Sequence, residues 1–371
     1  MEPMSIREIE KAVRGVWWNP REGAEDVTSV TTDSRNVPAG SLFIPIVGEK
    51  FDGHRFIAAA LDQGAAGVLC AKLPEDLRPD KFYIKVADTR LALKDLARHY
   101  REKFTLPVVQ ITGSVGKTTT KDMIAAVLTQ KYRVLKTAEN FNNDIGTPLT
   151  LLGLDHTHEA AVIETGMNHF GEIRYLGEMV QPDIAVISNI GDAHIEYLGS
   201  REGILKAKAE ILENLRPGGT VILNGDDALL NTLTPPFETL RCGQGENCAY
   251  RVGEIADHGV DGITCCLTTP QGEYRLTIPA PGEHMVYSAS MAAAIGEKLG
   301  LTAAEIARGV ACYTPTGSRM RVLRLPEERT VLDDCYNANP QSVTAALEIL
   351  AKTDCAQRVA VLGDMGELGD L

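Results

Sequence analysis

The chain has 371 residues, is 44% hydrophobic and only 5% aromatic, and carries a formal net charge of −13. That length calls for two or three domains, and an acidic surplus argues against general nucleic-acid affinity, because a phosphate backbone needs a basic surface. The eight cysteines include no Cys-x-x-Cys pair, which leaves zinc without support. No basic flank precedes an apolar core at the start, and no stretch of about 18 apolar residues occurs, so we expect no signal peptide, no membrane span and a cytoplasmic protein with reduced thiols.

The first region, residues 1–104, holds a strand over Ser41–Val47 and a helical segment from His54 to Gly64. A second strand is expected over Ala65–Cys70, and an amphipathic helix over Leu91–Phe104 with Leu93, Leu96, Ala97 and Tyr100 on one side. The second region, 105–314, starts with the β-branched run before Ile111. Three more apolar runs follow, Ala160–Ile163, Ile184–Ile187 and Thr220–Leu223. Runs of this kind separated by helical patterns imply a parallel sheet covered on both faces. Arg251–Ile278 alternates with period 2 and reads as an antiparallel patch, and a helix is expected from Met285 to Leu299, stopped by Gly300. The third region, 315–371, shows a strand at Val331-Leu332, a helix over Ser342–Leu350 and a further strand at Val359–Leu362. One such unit is too small to bury its own core, so this region reads as cut short.

Thr112-Gly113-Ser114-Val115-Gly116-Lys117-Thr118-Thr119 lies between the expected strand and a helical pattern that includes Met123, Ile124, Val127 and Leu128. Glycines let backbone N–H groups close on an anion, Lys117 adds a point charge and the Thr118 hydroxyl suits Mg²⁺. The common P-loop has glycine five residues before Gly116. Here that residue is Ile111, so the loop is a shorter version, or else a chance Gly-Lys-Thr in a turn. Glu164 ends an apolar run, at the edge where open α/β sheets bind ligands. It is a candidate Mg²⁺ ligand or a solvated strand-end acid. His194 follows the Ile184–Ile187 run in the same way. In the helical segment Ser200–Leu215, Lys208 shares a face with Ile204, Ile211 and Leu212, while Lys206 points away. An ammonium on that stripe must snorkel or lose its proton, and a neutral amine can take up CO₂ as a carbamate. The loops Asn140–Pro148 and Asp333–Pro340 follow strand patterns and are polar. Either could be turn chemistry or ligand amides.

Together these motifs resemble the Mur ligase family, the ATP-dependent enzymes that build the peptidoglycan stem peptide. The resemblance covers essentially the whole chain. Thr112–Thr119 is similar to the family's short P-loop. Glu164–Ile173 and Asp333–Pro340 look like the member that joins D-alanyl-D-alanine to UDP-N-acetylmuramoyl-tripeptide, rather than the one that adds the third residue. Asp33-Ser34-Arg35 and Phe51–His54 resemble the UDP-holding domain shared by both.

The resemblance implies an α/β fold of three domains. These are an N-terminal UDP-binding domain, a central P-loop parallel-sheet ATPase domain and a truncated C-terminal Rossmann-like domain. It implies an amide-bond ligase that works through an acyl phosphate as a monomer, with ATP and Mg²⁺ as cofactors. The implied partners are UDP-N-acetylmuramoyl-tripeptide and D-alanyl-D-alanine. Lys117 and the loop Thr112–Thr119 would hold the phosphates, Thr118 and Glu164 one Mg²⁺, and His194 a second beside a carbamylated Lys208 (N6-carboxylysine). His284, Asp334, Tyr336, Asn337 and Asn339 would frame adenine and ribose, and Arg319 would reach the phosphates. Ser34, Arg35, Asn140 and Asn143 would contact the UDP-linked substrate. Where the family has asparagine after Gly282-Glu283-His284 and again three residues on, this chain has Met285 and Ser288. No adenine contact is assigned to those two positions. A binding fragment without ligase activity, the third-residue ligase and folylpolyglutamate synthase are the alternatives.

Overall fold

A computed structural model describes residues 1–18, 25–48 and 51–366; the last residues of the third region, 367–371, lie outside this description. The chain forms two compact units. The first contains Met1–Thr105, Phe141–Thr157 and Glu178–Val180, and the second Leu106–Asn140, His158–Gly177 and the described residues from Gln181 onward.

In the first unit, strands β1 (Val16–Trp18), β2 (Val30–Thr31), β3 (Leu42–Phe43), β4 (Gly67–Cys70) and β5 (Phe82–Lys85) form one sheet in the order β1-β5-β4-β3-β2. The expected strand Ser41–Val47 is regular only over Leu42–Phe43, although Ile44 and Ile46 are buried beyond it. Helix α1 spans Ile6–Ala12, α2 spans Ile57–Asp62 and α3 spans Thr89–Arg101. Helix α3 buries Leu93, Leu96, Ala97 and Tyr100, the face that the sequence pattern marks. His54 sits in a short 3₁₀ turn. Its Nδ1 lies 2.6 Å from Asp52 Oδ1 and its Nε2 accepts the Ala71 N–H at 2.9 Å. The ring is thereby fixed as the neutral Nδ1–H tautomer and ties the turn to the end of β4.

The second unit is built on a nine-stranded sheet. Its strands are β6 (Val108–Thr112), β7 (Val134–Lys136), β8 (Ala160–Glu164), β9 (Ile184–Ile187), β10 (Thr220–Asn224), β11 (Glu238–Gly243), β12 (Tyr250–Asp257), β13 (Ile263–Thr269) and β14 (Gly272–Ile278). Their order is β14-β13-β12-β11-β10-β9-β6-β8-β7. β7 to β12 run parallel through the centre, and β12-β13-β14 close one side antiparallel. β6, β8, β9 and β10 are buried at every position, as continuous apolar strands under helices on both faces must be. The sequence pattern does not mark β11, whose first four residues are only partly covered and mostly polar.

Helix α4 (Lys117–Leu128) and the helix Met285–Lys298 pack on one face of this sheet and share its main core. Near its C-terminus the second of these carries Glu297, 6% exposed. The carboxylate accepts from Tyr250 Oη (3.0 Å), Thr269 Oγ1 (2.7 Å) and Tyr274 Oη (3.2 Å), one donor from each of β12, β13 and β14. A buried acid costs little when hydroxyls fill its lone pairs, and here it fastens the helix to the antiparallel edge.

Strands β15 (Arg321–Arg324) and β16 (Thr330–Asp333) form an antiparallel hairpin before the helix Pro340–Lys352. Val359–Leu362, read from sequence as the next strand, is not one. It pairs with no strand among the described residues, and Val361 is 93% exposed. An apolar run becomes a strand only where a neighbouring ladder takes its N–H and C=O groups.

Glu297→Ala removes the acceptor that three hydroxyls share. We expect a loss of about 2–4 kcal/mol, read as a lower melting temperature of the second unit with nucleotide absent.

Candidate active site

The site begins where β6 ends. Gly113 is closely approached: an added Cβ would lie 1.9 Å from Ser188 Oγ at the end of β9, so a larger residue would displace that hydroxyl from Val115 O. Gly116 has open space around it but sits at φ +73°, the left-handed region that glycine enters without strain. It caps α4, whose first backbone bond is Thr120 N–H to Gly116 O at 2.8 Å. The N–H groups at the start of that helix have no carbonyl one turn back, and the helix dipole adds positive potential there. The earlier half of the loop is held differently. Ser114 N–H donates to the Asn189 backbone oxygen (3.1 Å) and side-chain Oδ1 (3.2 Å), and Val115 N–H donates to the same Oδ1 (2.9 Å).

Two lysines converge on one carbonyl. Lys117 Nζ donates to Gly113 O at 2.9 Å, and Lys208 Nζ donates to the same oxygen at 2.8 Å. Lys208 is 1% exposed and stands beside Ile204 and Ile211 on the buried face of its helix, with Ser200 as the N-cap. Snorkelling is therefore not its solution. Burial, reinforced by the Lys117 charge, holds the Lys208 pKa well below the ordinary lysine range. Lys117 is also pushed down, chiefly by burial and further by Arg319, against an upward pull from Glu164.

Glu164, 1% exposed, is the last residue of β8 and lies in register with Ile111 of β6, just before the loop. Its N–H donates to Thr137 Oγ1 at 3.0 Å. Beneath it lies a residue that motif reading misses. Lys121, 0% exposed and one helical turn after Lys117, donates to Thr137 O at 2.8 Å. Its Nζ is 3.5 Å from Asp122 Oδ1 and 3.8 Å from Glu164 Oε2. The available signal was its position: four residues after Lys117, it falls on the same face as Ile124 and Leu128.

His194 follows β9 with φ +65° and caps the short helix Ile195–Leu198. His284 caps the helix Met285–Lys298. The two departures from the family pattern face inward. Met285 belongs to the core, and Ser288 Oγ lies 2.9 Å from Thr120 Oγ1, linking the two helices. From the third region, the Arg319 guanidinium stacks 4.0 Å from the Tyr336 ring centroid, and Asp334 Oδ1 accepts the Met320 N–H at 2.9 Å. Burial raises the Asp334 pKa. Asn337 Oδ1 accepts the Ala338 N–H, and Asn339 caps the helix Pro340–Lys352 through Ser342 N–H.

The structure therefore brings the loop, Lys117, Lys121, Glu164, Lys208 and Arg319 into one electrostatic neighbourhood. Ser34, Arg35 and Asn143 belong to the first unit and Asn140 to the second. Arg35, with its side chain 88% exposed, makes a two-point pair with Asp33, and Ser34 O accepts from Gln63 Nε2 at 2.7 Å. Asn143 Oδ1 accepts the Ile145 and Gly146 N–H groups, which is turn chemistry. No group of three His, Cys, Asp or Glu suited to a metal occurs among the described residues. Thr118 and Glu164 offer hard oxygen donors too few for an all-protein cage, the donor set of an ion shared with nucleotide phosphates.

Residues 26–101 match the Mur ligase family catalytic domain, 111–296 the Mur ligase middle domain and 318–371 the Mur ligase glutamate ligase domain. The UDP-N-acetylmuramoyl-tripeptide–D-alanyl-D-alanine ligase of Bacillus subtilis (strain 168) is 39% identical over 368 residues, covering 99% of this chain and 80% of that protein. MurF from Acinetobacter baumannii superposes with a TM-score of 0.93 at 35% identity, over 100% of this chain and 81% of that one. The MurF ligase of Thermotoga maritima, solved in complex with ADP, gives 0.82 at 28% identity over 92% and 78% of the two chains. On the middle-domain match and on these identities, the chain belongs to the Mur ligase family.

Proposed function

We propose that this protein is an ATP-dependent ligase that joins D-alanyl-D-alanine to UDP-N-acetylmuramoyl-tripeptide in peptidoglycan precursor synthesis. The observation that carries the reading is the convergence of Lys117, Lys208 and Glu164 on a phosphate loop, in a chain so similar to ligases named for that reaction. ATP and a UDP-linked precursor are cytoplasmic metabolites, and all eight cysteines are free, so the cytoplasm is the compartment we assign.

The reaction is the one the family resemblance implies. The terminal carboxylate of the tripeptide attacks the γ-phosphorus of ATP, the bond to the β,γ-bridging oxygen breaks, and ADP leaves. The amine of D-alanyl-D-alanine then attacks the acyl phosphate carbon. Phosphate departs, the nitrogen gives up a proton and the amide remains. Phosphoryl transfer asks mostly for positioning and charge neutralisation. The helix-start amides of Gly116–Thr119, the Lys117 ammonium and the Arg319 guanidinium supply both. Thr118 and Glu164 would hold Mg²⁺, with His194 serving a second ion, and the metal would offset phosphate charge. His284, Asp334, Tyr336, Asn337 and Asn339 frame the nucleoside. Ser34, Arg35, Asn140 and Asn143 serve the UDP-linked substrate. Lys208, whose hold on its proton burial weakens, would give that proton up and take up CO₂ as a carbamate with release of a second proton, turning an ammonium at Gly113 O into an anion.

Incubation with ATP, Mg²⁺, UDP-linked muramoyl-tripeptide and D-alanyl-D-alanine should yield ADP, phosphate and the pentapeptide product by mass spectrometry. ATP turnover with no pentapeptide from the chain extended to its relatives' full length would refute the reading. Lys208→Ala should abolish turnover, and added bicarbonate should not restore it. Isotope-labelled bicarbonate should give a carbamate carbon signal in the parent protein and none in Lys208→Ala, more strongly as pH rises, because the neutral amine is the reacting form. Lys121→Met removes the ammonium beside two buried carboxylates and should cost about 3–5 kcal/mol of stability, measured by denaturant unfolding.

A further inference from the structure

The phosphate loop lacks the early glycine of the longer P-loop and has Ile111, a fully buried strand residue, in its place. Something else must hold the first half of the turn. The contacts point to the neighbouring strand. Beyond the two N–H groups that Asn189 Oδ1 accepts from Ser114 and Val115, Asn189 Nδ2 donates to Val115 O at 2.9 Å, and Ser188 Oγ donates to the same oxygen at 3.0 Å. The Ser114 N–H also reaches the Asn189 backbone oxygen. One carboxamide thus uses its acceptor and its donor on consecutive groups of the loop, as a paired strand would. Nothing in the motif spacing marks Asn189.

This arrangement divides the loop. The amides of Ser114 and Val115 are taken up by Asn189, while those from Gly116 to Thr119 open the helix, where no carbonyl lies one turn back to take them. We propose that Asn189 is the positioning residue of the nucleotide site. It splints the loop in its binding shape before nucleotide arrives, and so selects the helix-start amides as the phosphate ligands. A loop already ordered loses less conformational entropy on binding, so the effect belongs in nucleotide affinity. The inference rests on the reading of this loop as the ATP site, and its test is designed to fail separately from the ligase assignment.

Nucleotide binding is measured by calorimetry with ADP and a non-hydrolysable ATP analogue, on the parent protein, Asn189→Ala and Asn189→Asp, with no acceptor substrate present. Asn189→Ala removes the carboxamide's hydrogen bonds and should weaken nucleotide binding by about ten-fold. Asn189→Asp keeps the size and the acceptor, loses the donor to Val115 O and adds negative charge beside the phosphates. Its loss should exceed that of Asn189→Ala. In both variants the KM for the UDP-linked substrate and the melting temperature should hold, and in Asn189→Ala the amides of Ser114 and Val115 should exchange hydrogen faster with nucleotide absent. Nucleotide affinity unchanged in both variants would overturn the proposal. So would a joint loss of nucleotide affinity, UDP-substrate KM and melting temperature, the mark of a merely structural residue. A parent protein that binds ADP but forms no pentapeptide would sink the ligase assignment while leaving the role of Asn189 standing on the binding data.

Discussion

The rest of the site depends on how positive charge is buried around one carbonyl oxygen. Gly113 O receives both Lys117 and Lys208, and Lys121 lies buried one helical turn further along. Taking ammonium groups out of water costs several kcal/mol each unless hydrogen bonds and counter-charges offset it. The fold offers carbonyls to all three lysines, and Lys121 also has the carboxylates of Asp122 and Glu164 beside it. Lys117 and Lys208 are left with depressed proton affinities. A polyphosphate would offset that imbalance, which is the physical argument for reading the region as a site rather than as core.

Topology puts the charges there. β6 lies between β8 and β9, so the ends of three parallel strands present the loop, Glu164 and the Ser188-Asn189 pair side by side. The approach is close at Gly113, where a side chain would push the Ser188 hydroxyl aside. On the other face, α4 is fastened to the helix Met285–Lys298 through Thr120 and Ser288, and Glu297 fastens that helix to the antiparallel edge. The loop therefore opens a helix that cannot easily shift. The substitutions Met285 and Ser288, which depart from the family pattern, serve this packing.

Residues whose meaning is local were legible. The loop motif, the strand-end position of Glu164 and the apolar stripe carrying Lys208 follow from spacing and helical period, and each stands where the pattern puts it. For Asn339 and Asn143 the same reasoning left turn chemistry and ligand contact open. Both sit in polar loops, and the structure engages them as a helix cap and a turn acceptor. Val359–Leu362 shows a limit, because hydrophobic alternatives to a strand are decided by whether a partner ladder exists.

By itself, the sequence determined the parallel α/β class, the phosphate loop with its unusual Ile111, and the candidacy of Glu164, His194 and Lys208. Those properties depend on residue type and on periods of two or 3.6 residues, which a chain carries along its own length. Only the tertiary structure decided that Lys208 and Lys117 share an oxygen, that Lys121 lies against Glu164 and that Asn189 holds the loop. These contacts join segments up to 95 residues apart. They are set by strand order, and strand order has no local signature.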